Sequence, residues 1–399
     1  MSNNKWSDYI NPSVKRIPPS GIRKFFDLAA EMEGVISLGV GEPDFVTPWH
    51  IREACVYSLN RGRTSYTSNQ GLLELREEIA QYLGSQRVHY DPKKEVLVTV
   101  GVSEALDIAL RTLIIPGDEV IIPTPCYVSY IPCTALAGGI PVTVQTSMED
   151  NFRLTADKLE AVITPKSKVL LLCFPNNPTG AIMDRETLLQ IAELVEKHDL
   201  LVIADEIYER LTYNGQHTCF ASLPGMRDRT IILNGFSKAY AMTGWRLGYA
   251  AGHEDFIAAM NKIHQYTMLC APITAQVAAL EALRNGKSAV DKMVAQYNRR
   301  RRLVLHGFKE IGLTCFEPGG AFYAFPYVGD TGLTAAEFAE NLLLEEKVAV
   351  VPGDVFGPGG EGCIRCSYAS SVEDLTEAIK RMGRFIKHRG MKKVKTVYS

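Results

Sequence analysis

Short apolar runs alternate with amphipathic stretches between about residues 93 and 252. In one amphipathic stretch the apolar residues Leu106, Ala109, Leu110 and Leu113 recur with the spacing of a single helix face. Alternation of this kind predicts strand–helix units that build a helix-covered α/β domain around a parallel sheet. The predicted strands are 95–100, 119–122, 169–174, 200–204, 230–233 and 248–251.

The remainder of the chain has a different pattern. A helical stretch from about 256 to 310 is followed by the run 319–323 (Gly-Gly-Ala-Phe-Tyr), which opens a region richer in strand signals. The chain has 399 residues, more than the ~250–300 at which single cores tend to divide. We therefore predict an N-terminal segment (1–45) that packs on the small domain, a large domain (46–290) and a small α+β domain (291–399).

Charge and composition limit the possible partners. The formal net charge is −2 and the sequence pI is about 6.5, so no basic excess favours nucleic acid or an anionic membrane. The run Arg299-Arg300-Arg301-Arg302 is interpreted as a solvated helix face, because successive residues point around the helix axis. Small molecules and a second copy of the chain are the expected partners.

Several features favour a cytoplasmic protein without a metal. The first residues show no apolar core of a signal peptide, and no apolar run approaches the length of a membrane helix. Nine cysteines are few for a disulfide scaffold and suit a reducing compartment. Cys363 and Cys366 have C-x-x-C spacing but lie in a strand-like run, so we interpret them as packing residues and expect no metal site.

Polar residues follow the predicted strands at the edge where parallel sheets bind ligands. Gly101-Val102-Ser103 lies between a strand and a helix and is either an anion site or a turn with Ser103 as N-cap. The turn 175–180 holds Asn177 between two prolines, which limits the freedom of its amide. Asp205 ends a buried strand and either meets a cation or caps a helix.

Lys238 follows the strand 230–233 among small and apolar residues. Burial would lower the pKa of its amine, as an amine nucleophile requires. Ser237 offers a hydroxyl beside it, and Arg246 offers a planar guanidinium group whose paired N–H donors suit phosphate. The pattern therefore indicates an amine nucleophile next to a phosphate site.

Five motifs occur along the chain in the order 37–45, 175–180, 204–208, 237–249 and 364–368. Together they resemble the class I, fold-type-I aminotransferases that depend on pyridoxal 5′-phosphate. The match extends from about residue 16 to 387 and is similar to the bacterial gamma subgroup, including aminotransferase A and its alanine- and aromatic-acting relatives. The resemblance implies a large domain with a mainly parallel, helix-covered sheet of seven strands and a smaller α+β domain.

By this resemblance Lys238 holds the cofactor as a Schiff base and moves a proton between the substrate Cα and the cofactor C4′. Asp205 would pair with the pyridine nitrogen, so the resemblance favours the cation as its partner. Asn177 and Tyr208 would hydrogen-bond the hydroxylate of the pyridine ring, and Tyr127 would stack on that ring. The residues implied at the phosphate are Val102, Ser103, Ser237 and Arg246.

The resemblance also implies a substrate site shared between two subunits. Arg365 would bind the α-carboxylate of the substrate through two hydrogen bonds, and the Gly41 backbone would lie against the same carboxylate. Tyr127 and Asn177 would lie beside the substrate. Tyr66 would reach the phosphate of the neighbouring subunit, so the active unit would be a homodimer.

The implied activity is transamination in two half-reactions, from an L-α-amino acid such as alanine, aspartate or an aromatic one to a 2-oxo acid. A C–S β-lyase on the same scaffold and a non-catalytic regulator that binds the cofactor are the alternatives. Ser103 stands where gamma-subgroup aspartate enzymes can carry lysine, so preference for aspartate stays open. The segment around Arg16, Ile17 and Gly21 and the run 264–266 (His-Gln-Tyr) are candidate specificity elements.

Overall fold

The computed structural model describes residues 5–19, 21 and 32–389. Short and long strands are distributed along this part of the chain. They are β1 (Ile36–Ser37), β2 (Val96–Thr99), β3 (Glu119–Thr124), β4 (Ile140–Gln145), β5 (Ser167–Cys173), β6 (Leu201–Asp205), β7 (Thr230–Gly235), β8 (Gly248–Ala251), β9 (Thr314–Cys315), β10 (Tyr323–Ala324), β11 (Pro326–Tyr327), β12 (Val348–Ala349), β13 (Val351–Pro352) and β14 (Ile364–Ser367).

Helices separate most of these strands. Within the described residues, no helix is both long enough and apolar enough to cross a membrane. The α-helices are α1 (Pro12–Lys15), α2 (Trp49–Asn60), α3 (Leu73–Ser85), α4 (Gly101–Leu113), α5 (Tyr130–Leu136), α6 (Ala156–Glu160), α7 (Arg185–Lys197), α8 (Glu254–Thr267), α9 (Ile273–Asn285), α10 (Lys287–Ile311), α11 (Ala335–Glu346) and α12 (Val372–His388).

A sheet of seven strands in the order β2-β8-β7-β6-β5-β3-β4 forms the centre of the fold. The strands from β7 to β4 pair in parallel, whereas β8 runs antiparallel to both of its neighbours, β7 and β2. The fold is therefore α/β with a mainly parallel sheet, as predicted. The smaller sheets formed by β9 to β14 lie in the C-terminal region, together with α11 and α12.

Two hydrophobic clusters cover opposite faces of this sheet. In β5 the side chains of Leu170 and Leu172 belong to one cluster, and those of Val169, Leu171 and Cys173 belong to the other. Successive side chains on a strand point to opposite faces, so the continuous apolar run from Val169 to Cys173 fits a sheet covered on both sides. Polar groups that act on ligands are consequently confined to the ends of the strands.

The six strands predicted from apolar runs are present, with ends that differ by at most two residues from the predicted ones. The seventh, β4, was not located in the sequence. It lies at the edge of the sheet, pairs only with β3 and is mostly half-buried or exposed. It also contains Pro141, and an edge strand of this kind lacks the continuous apolar run that identifies a buried one.

The N-terminal segment meets the C-terminal region through the pairing of β1 with β12, in which Ile36 lies opposite Val348. Residues 1–4, 20 and 22–31 of this segment are outside the described residues. Its division from the domains 46–290 and 291–399 stays a prediction. The helix α10 runs continuously through the boundary at 290.

The prediction of a solvated face for the four-arginine run is wrong for two of its residues. Arg300 and Arg301 are buried on α10, with 9% and 4% of their surface exposed. Arg300 pairs with Asp44 at 2.7 Å, and Arg301 donates to Glu317 at 2.7 Å and to the Pro318 carbonyl at 3.0 Å. Their long apolar stems can be buried because each guanidinium group finds acceptors and an aromatic ring to pack on.

Replacing Arg301 by Ala should lower the free energy of unfolding by about 2–3 kcal/mol, because a buried charged hydrogen-bond donor and its packing are lost. The matched control is Arg302→Ala, which removes the same charge from an exposed position of the same run and should cost less than about 0.5 kcal/mol. Denaturant unfolding followed by circular dichroism measures both values. Equal losses in the two variants would contradict the buried role of Arg301.

Candidate active site

A cleft of about 380 Å³ opens where β5, β6 and β7 end. Of the residues predicted to take part in catalysis or to bind the cofactor or the substrate, only Tyr66 lies outside the lining of this cleft, with 83% of its surface exposed. The predicted residues that line it are Gly41, Val102, Ser103, Tyr127, Asn177, Asp205, Tyr208, Ser237, Lys238, Arg246 and Arg365.

The amine of Lys238 lies in the interior of the cleft, in the loop that follows β7. Its Nζ donates to the Gly41 carbonyl at 2.7 Å and lies 5.9 Å from the centre of the Tyr208 ring. Burial, with a further contribution from the positive charge of Arg365, lowers the pKa of Lys238 to about 8. The amine is thus much closer to its neutral, nucleophilic form at physiological pH than an exposed lysine.

The carboxylate of Asp205 forms the floor of the cleft. It accepts hydrogen bonds from the Tyr130 hydroxyl at 2.7 Å and from the Ile207 amide at 3.2 Å. Burial raises the pKa of Asp205 to about 6 in spite of these two donors. The helix-cap interpretation is wrong, because residues 207–210, which follow Asp205, form a turn and not a helix. No cation of the described residues forms an ion pair with Asp205, so the charge that would match it must come from a ligand.

One end of the cleft has the features of an anion site. The helix α4 begins at Gly101, and no side chain caps its first turn, which contains Val102 and Ser103. Gly101 has a φ of +74°, and a Cβ there would lie 2.8 Å from the Arg246 guanidinium. Ser103 is inside the helix, so its interpretation as N-cap is wrong. Free amide groups at a helix N-terminus next to an arginine fork and the Ser237 hydroxyl are suited to phosphate.

Arg365 is buried in β14, with 2% of its surface exposed. It donates to the Asn177 side-chain oxygen at 2.9 Å and to the Gly39 carbonyl at 2.7 Å, while its Nε has no partner among the described residues. The guanidinium also packs over the Tyr323 ring at 4.6 Å. A buried cation paired only with neutral groups leaves a strong site for a carboxylate.

Sequence analysis missed two tyrosines that hold other site residues in place. Tyr130 donates to Asp205, and its ring contacts that of Tyr127 edge-on at a centroid distance of 5.5 Å. The Tyr323 hydroxyl lies 2.8 Å from the Tyr208 hydroxyl. Tyr323 belongs to the run 319–323, whose pattern indicates only the start of the C-terminal region, and Tyr130 has no signal beyond its position three residues after Tyr127.

The comparisons with known proteins agree with this geometry. The sequence model of the family described as "Aminotransferase class I and II" matches residues 33–382. The chain belongs to this aminotransferase family. It is 58% identical to "Putative aminotransferase YugH" of Bacillus subtilis over 95% of this chain and 99% of that protein.

Two further relatives of the aminotransferase have names that specify a substrate. The "Aspartate aminotransferase" of Pyrococcus abyssi is 48% identical over 94% of this chain and 97% of that protein. The solved structure of an aromatic aminotransferase from Pyrococcus horikoshii OT3 has a TM-score of 0.89 and 46% identity, over 93% of this chain and all of that chain (100%). The chain is therefore an aminotransferase that depends on pyridoxal phosphate.

The described cleft fits this cofactor in three respects. Pyridoxal phosphate presents an aldehyde, a ring nitrogen and a phosphate. The cleft presents a buried amine at Lys238, a buried carboxylate at Asp205 and an anion site at Gly101 and Arg246. Within the described residues, no group of three or more His, Cys, Asp or Glu side chains is placed to hold a metal ion.

The Cys363–Cys366 pair is divided between two hydrophobic clusters. Both cysteines are buried, and Cys363 packs in the cluster that contains Leu170, whereas Cys366 packs in the one that contains Tyr323. Burial raises the pKa of the Cys363 thiol to about 12. This placement agrees with their interpretation as packing residues.

Replacing Lys238 by Met should stabilise the cofactor-free protein. Between pH 8 and 10.5 the unfolded chain keeps a proton on this amine that the folded chain has lost, so the wild type gains stability as the pH rises through this window. At pH 7 the Met variant should be more stable by about 2–3 kcal/mol, and at pH 10 by less than about 1 kcal/mol.

Thermal unfolding of the cofactor-free proteins at both pH values measures this difference. The exposed Lys262 provides the control, and Lys262→Met should change stability little at either pH. A stabilisation by Lys238→Met that is the same at pH 7 and pH 10 would show that burial does not lower the pKa of Lys238.

Proposed function

We propose that this aminotransferase takes its amino group from L-α-amino acids with uncharged side chains and passes it to a 2-oxo acid, either 2-oxoglutarate or pyruvate. The charges of the cleft carry the proposal. The cationic side chains in the described lining are Lys238, Arg246 and Arg365, and the cofactor and the substrate α-carboxylate engage all three. Glu42 adds a carboxylate to the lining, where it accepts a hydrogen bond from Thr243.

The side-chain carboxylate of aspartate would meet this cleft without a cation. Ser103, in the first turn of α4, offers it only a hydroxyl, and the negative charge of Glu42 opposes it. Glutamate is one methylene longer, so its distal carboxylate can extend to the solvated mouth of the cleft. Pairing with 2-oxoglutarate as acceptor is therefore compatible with discrimination against aspartate as donor.

Lys238 acts twice in the proposed reaction. It holds the cofactor covalently and, once the substrate displaces it, takes the proton from the substrate Cα as a neutral amine. Its pKa of about 8 and its position beside the Gly41 carbonyl support this role. When bound, pyridoxal phosphate supplies the electron sink that stabilises the carbanion left at Cα.

Asp205 and Tyr208 tune the cofactor in this proposal. A buried carboxylate without a counter-charge gains most from a protonated ring nitrogen, which restores its ionised form. Tyr208 is held by Tyr323 at 2.8 Å and, together with Asn177, is proposed to donate to the ring hydroxyl. Tyr127 is proposed to pack on the ring, supported by its edge contact with Tyr130.

Arg365 is proposed to bind the α-carboxylate of the substrate, with the Gly41 backbone at the same group. Its buried guanidinium and its unpaired Nε support this role. The Asn177 side-chain oxygen already accepts a hydrogen bond from Arg365, so the substrate carboxylate is proposed to bind the remaining donors of the guanidinium group. The amino group of the bound substrate is thereby directed towards Lys238.

A panel of amino donors tests the proposed substrate class. Alanine and phenylalanine should exceed aspartate by about tenfold or more in kcat/KM, since one hydrogen bond between charged groups is worth roughly 1.5–3 kcal/mol. Ser103→Lys should raise activity with aspartate, whereas Ser85→Lys at the exposed end of α3 should not. Lys238→Ala should give no turnover with any donor.

The panel is measured with 2-oxoglutarate and with pyruvate, and product oxo acids are quantified. Aspartate as good a donor as alanine would contradict the proposed substrate class. Release of ammonia and pyruvate from cystathionine without amino transfer would instead favour the C–S β-lyase.

We further propose that the active unit is a homodimer in the cytoplasm. Tyr66, Tyr266 and Met268 are exposed large apolar side chains, and the Asn69 side chain donates to the Leu269 carbonyl at 2.6 Å, which joins the loop of Tyr66 to the end of α8. An exposed apolar patch of this kind supports contact with a second copy. All nine cysteines are free thiols, which suits a reducing compartment.

Mixing two inactive variants tests the shared site. In a mixed dimer of Tyr66→Ala and Lys238→Ala, one site combines an intact Lys238 with Tyr66 of the partner subunit. Co-expression should therefore restore activity to about a quarter of the wild type, since half of the dimers are mixed and each has one complete site. A dimer in sedimentation without recovered activity would show that Tyr66 does not serve the partner.

A further inference from the structure

A buried histidine lies beneath the anion site and has no part in the proposed reaction. His264 on α8 is fully buried, and its Nδ1 lies 2.6 Å from a carboxylate oxygen of Glu104 in the first turn of α4. His264 does not line the cleft, so the structure does not support its prediction as a specificity element. Because a carboxylate only accepts hydrogen bonds, Nδ1 is the protonated nitrogen of this pair.

Glu104 joins this histidine to the turn that begins the anion site. Its second oxygen accepts a hydrogen bond from the Val100 amide at 2.5 Å. Val100 immediately precedes Gly101, whose φ of +74° opens the way for the Arg246 guanidinium. A continuous chain of hydrogen bonds therefore runs from α8 through the carboxylate to the backbone at the start of α4.

The hydrogen bond between His264 and Glu104 also bears on the electrostatics of the anion site. Glu104 is buried, with 8% of its surface exposed, in the same helical turn as the amide groups that would hold a phosphate. A second negative charge so close would weaken the binding of an anion. A hydrogen-bond donor at His264 draws the charge of the carboxylate away from the cleft and keeps it on the interior side of the helix.

We propose that His264 is a positioning residue for the cofactor phosphate: through Glu104 it fixes the Val100–Gly101 turn, and with it the amides of Val102 and Ser103, in the conformation that binds the phosphate. This inference rests on the proposed assignment of the phosphate to the start of α4. A purely structural histidine would affect the stability of the protein but not its affinity for the cofactor.

The test compares substitutions that keep or remove the donor at Nδ1. His264→Asn places an amide nitrogen near the position of Nδ1, whereas His264→Leu removes the donor. The Kd of pyridoxal phosphate for the cofactor-free protein is measured by absorbance titration. We expect His264→Leu to raise this Kd about tenfold or more and His264→Asn to stay within about threefold of wild type.

Two further measurements separate positioning from general damage. At saturating cofactor the KM for the amino donor should stay unchanged in both variants, and the phosphorus NMR resonance of bound cofactor should shift in His264→Leu but not in His264→Asn. The control is His306→Leu, which breaks an exposed histidine–glutamate contact with Glu310 on α10 and should leave the Kd unchanged. If His264→Leu does not fold, His264→Gln, whose amide lies near Nε2 instead, takes its place with the same expected loss.

Several outcomes would overturn the inference. A normal Kd in His264→Leu with a lowered unfolding temperature would make the histidine purely structural. Equal loss of affinity in His264→Asn and His264→Leu would show that the donor at Nδ1 is not what matters. Arg246→Leu distinguishes the underlying assignment: if this variant keeps the wild-type Kd, the phosphate is not at the start of α4, and the site proposed above is wrong.

Discussion

The site depends on one constraint: its charged side chains are buried, and not all of them have an oppositely charged partner. Arg365 pairs only with neutral oxygens, and burial shifts the pKa of Lys238 downward and that of Asp205 upward. In a flexible chain such groups would move to solvent or pair with one another. Here the strands hold them apart, because Asp205 ends β6, Arg365 lies within β14 and Lys238 follows β7. The two apolar layers on the sheet keep this framework stiff.

The missing charges correspond to the ligands of an aminotransferase. In the proposed reaction a substrate carboxylate would pair with Arg365, a protonated ring nitrogen with Asp205, and a phosphate with Arg246 and the amide groups at the start of α4. Ligands that supply these charges stabilise the folded protein by binding it alone. The free energy that these buried, unpaired charges cost the ligand-free protein thus favours the binding of molecules that carry the opposite charges at the matching positions.

Sequence reasoning succeeded where burial and chemistry leave a one-dimensional pattern. The buried part of β5, from Val169 to Cys173, is continuously apolar, and Asp205 and Lys238 lie at or just beyond the ends of similar strands. It failed where a partner distant in sequence decides the outcome. Tyr130 matters because it reaches Asp205, 75 residues away, and Arg301 is buried because Pro318 and Glu317 accept its hydrogens. No local sequence pattern reveals such pairings. The edge strand β4 was missed for a different reason, because it is too little buried to have a continuous apolar run.

The first turn of α4 shows how one short segment can separate two functions. Successive helical residues point about 100° apart, so Ser103 lines the cleft while the neighbouring Glu104 points into the core towards His264. In the proposed site a change at position 103 would therefore alter which donors the cleft accepts, while Glu104 would still hold the turn that is proposed to bind the phosphate. Relatives named for aspartate and for aromatic substrates share this fold. If adjacent residues of one helix serve substrate choice and cofactor binding separately, as proposed here, the first can change without loss of the second.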